Sequence, residues 1–344
     1  MAKKQKPAFR YKDEVGALKS SGPERLYLLY GPEDYLRERY LEELKALCLP
    51  GDDEFSYKRL DGPAIDLGAL SEAVNAMPFF TERTMVEVRD FDVNKCRDAD
   101  AESLKGILGD IPDFCTVVFV LSSAYELDGR LSAAKLLKKL GKTLEFTEQE
   151  GSALLLWIAG RFKALGKAIS REDAEYLIFL SGSRMNALIP EIEKAAAHAA
   201  GDTVTRADIE QTANRIAEAD VFRMTDLLSQ RQSDRAAALL SDLLADKDNH
   251  PIMLNALIGQ QMRRLYTVKL GLDEGKRRDD IMALSGVKFD FIYDKLVSAA
   301  RGYSLPQLSQ IVSLCAEYDF KMKSTGLDAN VLIRELFARI AAGV

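Results

Sequence analysis

Histidine, tryptophan and cysteine are scarce in this chain: two, one and four in 344 residues. The cysteines, Cys48, Cys96, Cys115 and Cys315, stand too far apart for a C-x-x-C knuckle, and only His198 and His250 could join them. A structural zinc ion takes four converging Cys or His ligands, commonly in close pairs, so no metal or cofactor is implied and thiols in a reducing compartment are the plainer reading. H-E-x-x-H and G-x-S-x-G are absent, as is any plausible Cys–His pairing for nucleophilic catalysis. Nothing approaches the ~18 uncharged apolar residues of a membrane span. The basic opening "MAKKQKPAFRYKDEV" lacks the apolar core of a secretory signal and reads as a frayed, solvated tail on a cytoplasmic protein. Positive charge is not in excess either. A net charge of −6 argues against a chain whose main task is to coat nucleic acid, though it leaves room for a local basic patch.

What is present is an ordinary globular mixture, 47% apolar and 29% charged, long enough for two or three domains. Up to about residue 147, strand and helix signals alternate. "ERLYLLYG" (24–31) is a short apolar run closed by Gly31-Pro32, the signature of a buried strand and a turn. Leu36, Tyr40, Leu44 and Leu47 then recur at helical spacing, with Glu33 and Asp34 where the helix dipole favours acids. "SYKRLDG", "RTMVEVRDF", "FCTVVFVLSS" and "KTLEFT" read as further strands. Between them Leu67, Leu70, Val74 and Met77 form one helical stripe, and Leu131, Leu136, Leu137 and Leu140 mark another helix. Such alternation predicts a mainly parallel sheet covered on both faces. After 147 the strand signals stop. Residues 148–216 read as a small helical module, with Ser170 and Thr205 as helix caps, and residues 217–344 as a larger one. The expected fold class is α/β plus α.

An α/β domain followed by helices raises the question of a nucleotide. A phosphate loop needs G-x-x-x-x-G-K-[ST] between strand and helix, so that backbone amides and a lysine surround the phosphates. The natural slot, "YGPEDYLRERY", offers Gly31 and then Pro32, Glu33 and Asp34. Proline removes an amide, and two carboxylates repel a triphosphate. The literal Gly141-Lys142-Thr143 has Leu136 where the first glycine belongs and leads into a strand. "MVEVRDF" ends with Arg89 before Asp90, a cation where an Mg²⁺-binding acidic pair would be needed. Autonomous catalysis therefore has no visible support, and scattered carboxylates on solvated helix faces explain these residues.

One stretch resists such plain readings. "NAMPFF" (75–80) sets two phenylalanines side by side after Met77-Pro78, immediately before the charged "TERT". Adjacent side chains on a strand point to opposite faces, so one core can hardly hold both rings. Either one ring packs inside, with Phe80 the ordinary core candidate, or the pair is presented to a partner.

Five segments carry a resemblance: "YLLYGPEDYLRERYLEEL", "NAMPFFTERTMVEVRDF", "VFVLSSAYELDGRLSAAKLLKKL", "SGSRMNALIPEIEKAA" and "YDFKMKSTGLDANVLIREL". In this order and spacing they resemble the delta subunits of the bacterial DNA polymerase III clamp loader, over nearly the whole chain. The resemblance implies an AAA+-like α/β domain (1–147), a helical lid (148–216) and a helical collar (217–344) that joins sister subunits. It implies a lost phosphate loop, and hence no enzyme by itself but a subunit of a nucleotidyltransferase complex in DNA replication. The implied partners are the beta sliding clamp, whose ring this subunit helps to open, the gamma/tau and delta-prime subunits, and primed DNA in the assembled complex. Met77, Phe79 and Phe80 fall on the positions of a hydrophobic clamp-binding wedge, and Arg83 on a basic position after it, for which a solvated turn residue is the plain alternative. Pro78 and Phe79 depart from the family's pattern, where a small polar residue and Leu are found. Arg263, Arg264 and Lys269, with Lys276, Arg277 and Arg278 nearby and then Lys321 and Lys323, form a basic cluster for possible DNA contact, although most such clusters are solvated helix ends. A degenerate NTPase and a helical scaffold with Phe79 and Phe80 in its core are the competing readings.

Overall fold

Five strands form a wholly parallel sheet in the order β2-β3-β4-β1-β5, as seen in a computed structural model. The structure describes residues 11–50, 54–63, 65–79, 81–96, 98–125 and 127–343. In chain order the first elements are α1 (Tyr11–Ser21), β1 (Leu26–Tyr30), α2 (Asp34–Cys48), β2 (Tyr57–Asp61), α3 (Leu67–Asn75), β3 (Thr84–Arg89), α4 (Asp98–Gly109), β4 (Cys115–Val120), α5 (Ser132–Leu140) and β5 (Lys142–Glu145). Leu28 lies between Phe119 of β4 and Thr143 of β5, which fixes the register at the sheet centre. Every residue of β4 is buried, as a parallel strand covered on both faces requires. Leu70, Val74, Leu104, Leu108 and Leu137 of α3, α4 and α5 pack on Val86, Val88, Val117 and Phe119. On β1, Tyr27 packs its ring 6.4 Å from that of Tyr40, which in turn stands 5.8 Å from Phe146.

The chain divides into two compact units, Met1–Leu154 with Ser183–Ile189, and Leu155–Gly182 with Pro190–Val344. The later elements are α6 (Gly151–Ala164), β6 (Ala168–Ile169), α7 (Arg171–Ser181), α8 (Met185–His198), β7 (Thr203–Val204), α9 (Arg206–Thr212), α10 (Ala217–Ser229), α11 (Ser233–Ala245), α12 (Pro251–Asp273), α13 (Arg278–Ser285), α14 (Asp290–Ala300), α15 (Leu305–Ser324) and α16 (Ala329–Ala342). Ser170 and Thr205 cap α7 and α9 by accepting from the amides of Asp173 and Asp208. The long α12 is the axis of the second core. Its Leu254, Ile258, Met262, Leu265 and Val268 recur every three or four residues and are buried with Ile311, Tyr318, Ile333 and Leu336.

Four expectations need correction. Residues 11–15 of the supposed tail begin α1, which buries Leu18; residues 1–10 lie outside the described residues. Strands do not stop at 147, because β6 and β7 pair in parallel, but two residues each carry no periodicity to read. Leu47 and Leu140 are 39% and 40% exposed, and Ala133, Ala134 and Leu137 supply the buried face of α5 instead. Met77 is not on the stripe of α3. The helix ends at Asn75 because Pro78 disfavours helical geometry in the residue before it.

Candidate functional site

The turn after β1 is where an α/β fold of this kind would hold phosphate, and here it is filled by the chain's own groups. Gly31 has φ +122°, and a Cβ there would lie 2.4 Å from the carbonyl oxygen of Phe146. Only glycine fits this close approach of the turn to the end of β5. Pro32 offers no amide. Glu33, 2% exposed, turns its carboxylate onto the N-terminus of α2, accepting from the Tyr35 amide at 3.3 Å, and the nearby Met185 amide favours its ionised form. Burial pushes its pKa above the usual carboxylate range. Asp34 accepts from the Ser123 hydroxyl at 2.8 Å and from the guanidinium of Arg37. Burial opposes its ionisation, but those donors hold its pKa below the ordinary value. Arg37 is itself 2% exposed and donates to the Gly31 carbonyl at 2.9 Å. At the end of β3, Arg89 pairs with Glu38 at 2.8 Å and Glu87 at 2.6 Å. The N-terminus of α2, where such a fold elsewhere receives an anion, therefore already carries the Glu33 carboxylate on its Tyr35 amide, with the Asp34 carboxylate held beside it by Ser123 and Arg37.

The other notable region is the connection from α3 to β3. Asp66 opens α3 by accepting from the Gly68 amide at 2.8 Å, and Ala76 at its end turns extended. Met77 and Phe79 then stand 76% and 85% exposed. Phe80 lies outside the described residues. Beyond it the Thr81 hydroxyl donates to the Arg83 carbonyl at 2.7 Å and is hydrogen-bonded to the Ser56 hydroxyl at 2.8 Å. The loop is thereby tied to the turn that leads into β2. Arg83 is half-buried, with Nε out of solvent and lacking a hydrogen-bond partner. Its cation is felt by Tyr27, Cys48 and Cys115, whose pKa values burial raises. It is not a solvated turn residue.

One residue in this region carries no periodic signal. Phe55 sits in the single 3₁₀ turn before β2 and is 86% exposed. It lines a groove of about 310 Å³ together with Ala69, Ala73, Ala76 and Val86. The available hint is a lone aromatic in the acidic stretch "GDDEFS".

The basic residues are mostly neutralised where they stand. Lys321 pairs with Glu317 at 2.7 Å and Lys323 with Asp319 at 2.8 Å, each one helical turn away. Lys269 lies 3.9 Å from Asp273, Lys276 is 2.6 Å from Glu274, and Arg277 is 3.2 Å from Asp280. Arg278 bridges Asp290 and Asp294 at 2.8 Å each. Arg264 is half-buried, and burial lowers its pKa against the pull of Glu218. Arg263 is exposed. Among the described residues, no three His, Cys, Asp or Glu side chains converge as metal ligands, and no helix is long and apolar enough to cross a membrane.

A wholly parallel five-stranded α/β unit joined to a mainly helical one defines an α/β plus α protein in which the turn after β1 is filled by its own side chains. Comparison with known proteins narrows the class. The family model for "DNA polymerase III, delta subunit" matches residues 27–147, and that for "DNA polymerase III delta subunit, C-terminal domain" matches residues 218–340, more than half of the chain between them. The chain belongs to the DNA polymerase III delta subunit family. It is 26% identical to DNA polymerase III subunit delta of Bacillus subtilis (strain 168), over 93% of this chain and 94% of that one. It is 24% identical to the probable DNA polymerase III subunit delta of Aquifex aeolicus (strain VF5), over 91% and 90% of the two chains. Among solved structures, the Bacillus subtilis DNA clamp loader delta protein shares the fold, with a TM-score of 0.51 at 22% identity, covering 97% of this chain and 100% of that one.

Proposed function

We propose that this chain acts as a clamp-loader subunit that captures a ring-shaped sliding clamp through the loop at 76–80 and favours the ring's open form. The observation that carries this reading is the display of Met77 and Phe79, 76% and 85% exposed, on a loop pinned by Thr81 to Ser56. Large apolar side chains held out on a fixed backbone are what a binding hot spot needs, because the ordering cost is met before the partner arrives. Pro78 removes a further backbone freedom. Phe80 belongs to the same proposed wedge by its place in the sequence, and Arg83 is the proposed basic position that follows it. Residues 1–147, 148–216 and 217–344 act in this proposal as clamp-binding domain, lid and collar. The collar joins the gamma/tau and delta-prime subunits around primed DNA, in the cytoplasm.

The occupied phosphate slot favours this mechanical role over that of a degenerate NTPase. A triphosphate at Gly31 would have to displace Glu33 and Asp34 from donors they already satisfy, and would meet two negative charges. DNA contact by Arg263, Arg264, Lys269, Lys321 and Lys323 draws less support, since the three lysines have carboxylate partners within their own helices. The experiment is direct binding of the purified full chain to its sliding clamp. Phe79→Ala together with Met77→Ala should weaken capture by at least about tenfold while thermal unfolding stays unchanged. Wild-type affinity in that double variant would overturn the wedge, and tight Mg²⁺-dependent ATP binding by the isolated chain would overturn the non-catalytic reading.

A further inference from the structure

Exposed apolar side chains in the unit Met1–Leu154 are unevenly placed. Of the described residues there, Leu47 and Leu140 are 39% and 40% exposed, as on any surface, whereas Phe55, Met77 and Phe79 are 86%, 76% and 85% exposed. The three belong to one edge of the molecule. Ser56, next to Phe55, is 3% exposed and is hydrogen-bonded at 2.8 Å to Thr81, two residues after Phe79. Ala76, which begins the loop, also lines the groove bordered by Phe55. Three large apolar groups fixed in one neighbourhood form the kind of patch that marks an interaction surface.

The groove has its own logic. Ala69 and Ala73 of α3, with Ala76 just past its end, present small side chains that leave about 310 Å³ open above Met85 and Val86. Lys58 and Glu72 stand at the same groove and supply polar groups for its rim. Area points the same way. A buried aromatic covers roughly 150–250 Å², so Met77 and Phe79 alone fall well short of the ~800 Å² per partner of a stable interface. A surface that also includes Phe55 and the groove comes closer to it.

We propose that Phe55 and the alanine-walled groove form a second contact with the same apolar face of the sliding clamp that receives Met77 and Phe79. The partner places an apolar side chain in the groove, and the Phe55 ring closes over it. This rests on the proposed clamp-binding function and names a residue and a socket that the wedge does not include.

The test measures clamp affinity of the full-length chain for Phe55→Ala, Ala69→Leu and Phe79→Ala, with thermal unfolding recorded for each. Phe55 is exposed, so its truncation leaves the fold intact, and Ala69→Leu fills the groove from a half-buried helical position without removing a contact. We expect Phe55→Ala and Ala69→Leu each to weaken clamp binding by about tenfold at unchanged melting temperature. If Phe79→Ala weakens binding while both other variants bind like wild type, the second contact is refuted and the wedge stands. If Phe79→Ala binds like wild type, the clamp reading fails, and this inference with it. If Phe55→Ala changes only a concentration-dependent self-association in sedimentation, the occupant is a second copy of the chain and the proposal is overturned.

Discussion

Replacing Arg37 with methionine probes what holds the former phosphate slot closed. The guanidinium is 2% exposed and donates at 2.9 Å to the Gly31 carbonyl, while also reaching the Asp34 carboxylate. A charged hydrogen bond is worth about 1.5–3 kcal/mol, and breaking a buried ion pair by removing one partner costs about 3–5 kcal/mol. Two features reduce that figure. Asp34 keeps the Ser123 hydroxyl at 2.8 Å, and the Arg37 Nε, which is buried without a partner, is eliminated. The net expectation is a loss of about 2–4 kcal/mol. At about 2–4 °C per kcal/mol for a domain of this size, melting falls by about 5–15 °C. The chain's single tryptophan, Trp157, lies in the other unit, so its fluorescence is a poor reporter here. Hydrogen exchange of the β1 and β5 amides is the better assay, and they should lose protection together. Arg37→Lys should recover only part of the loss, because an ammonium cannot span both acceptors as a guanidinium does. A melting point within about 1 °C of wild type, with β1 amides equally protected, would show that the guanidinium is a spectator and refute this account of the closed slot.

Gly31→Ala should cost at least about 3 kcal/mol in urea unfolding, since it adds a steric clash with Phe146 to the ~1–3 kcal/mol of a strained positive φ. Gly62→Ala is the control, with φ +109° and open space around its Cβ, and equal losses in the two variants would remove the close-approach argument. Glu33→Gln separates the buried carboxylate by pH. The folded chain binds the Glu33 proton more tightly than the unfolded chain, so the ionised form destabilises at neutral pH and the penalty fades as pH falls toward the ordinary 4.5. The stability advantage of the variant over wild type should therefore be largest near neutrality and shrink on acidification. A pH-independent difference would argue against a raised Glu33 pKa.

The middle of the sheet was legible because β1, β3 and β4 are short, largely apolar runs bounded by turns, and buried parallel strands have to look like that, whereas β2 and β5 at the edges are mostly polar. Charged burial was not legible. Glu33 and Arg37 fit the polar face of a helix, yet both are 2% exposed, with the Glu33 amide on the Phe146 carbonyl and the Arg37 guanidinium on the Gly31 carbonyl. Met77 shows a different limit. Periodicity alone extends α3 through it, and the correct stop lies in the following proline, a one-residue signal that a stripe of leucines outvotes. The candidate wedge stood out by its composition, since paired aromatics beside a proline suit no core pattern. Phe55 did not, because a single ring at the start of a strand has no period to break. The acids among the basic residues were visible in the sequence, but which lysines they meet was not: Lys269, Lys321 and Lys323 each face a carboxylate one helical turn away, while Arg263 stays exposed.

The amide of Met185 reaches Glu33 from a segment, Ser183–Ile189, that belongs to the sheet-containing unit although its flanks belong to the other. Neither unit is thus a continuous piece of chain. During synthesis the strands of the sheet are all available once β5 has emerged, but the Met185 amide that eases the ionisation of Glu33 follows only some forty residues later. A fragment ending near residue 147 would lack Ser183–Ile189 permanently, and with it the one amide outside α2 that favours the Glu33 carboxylate.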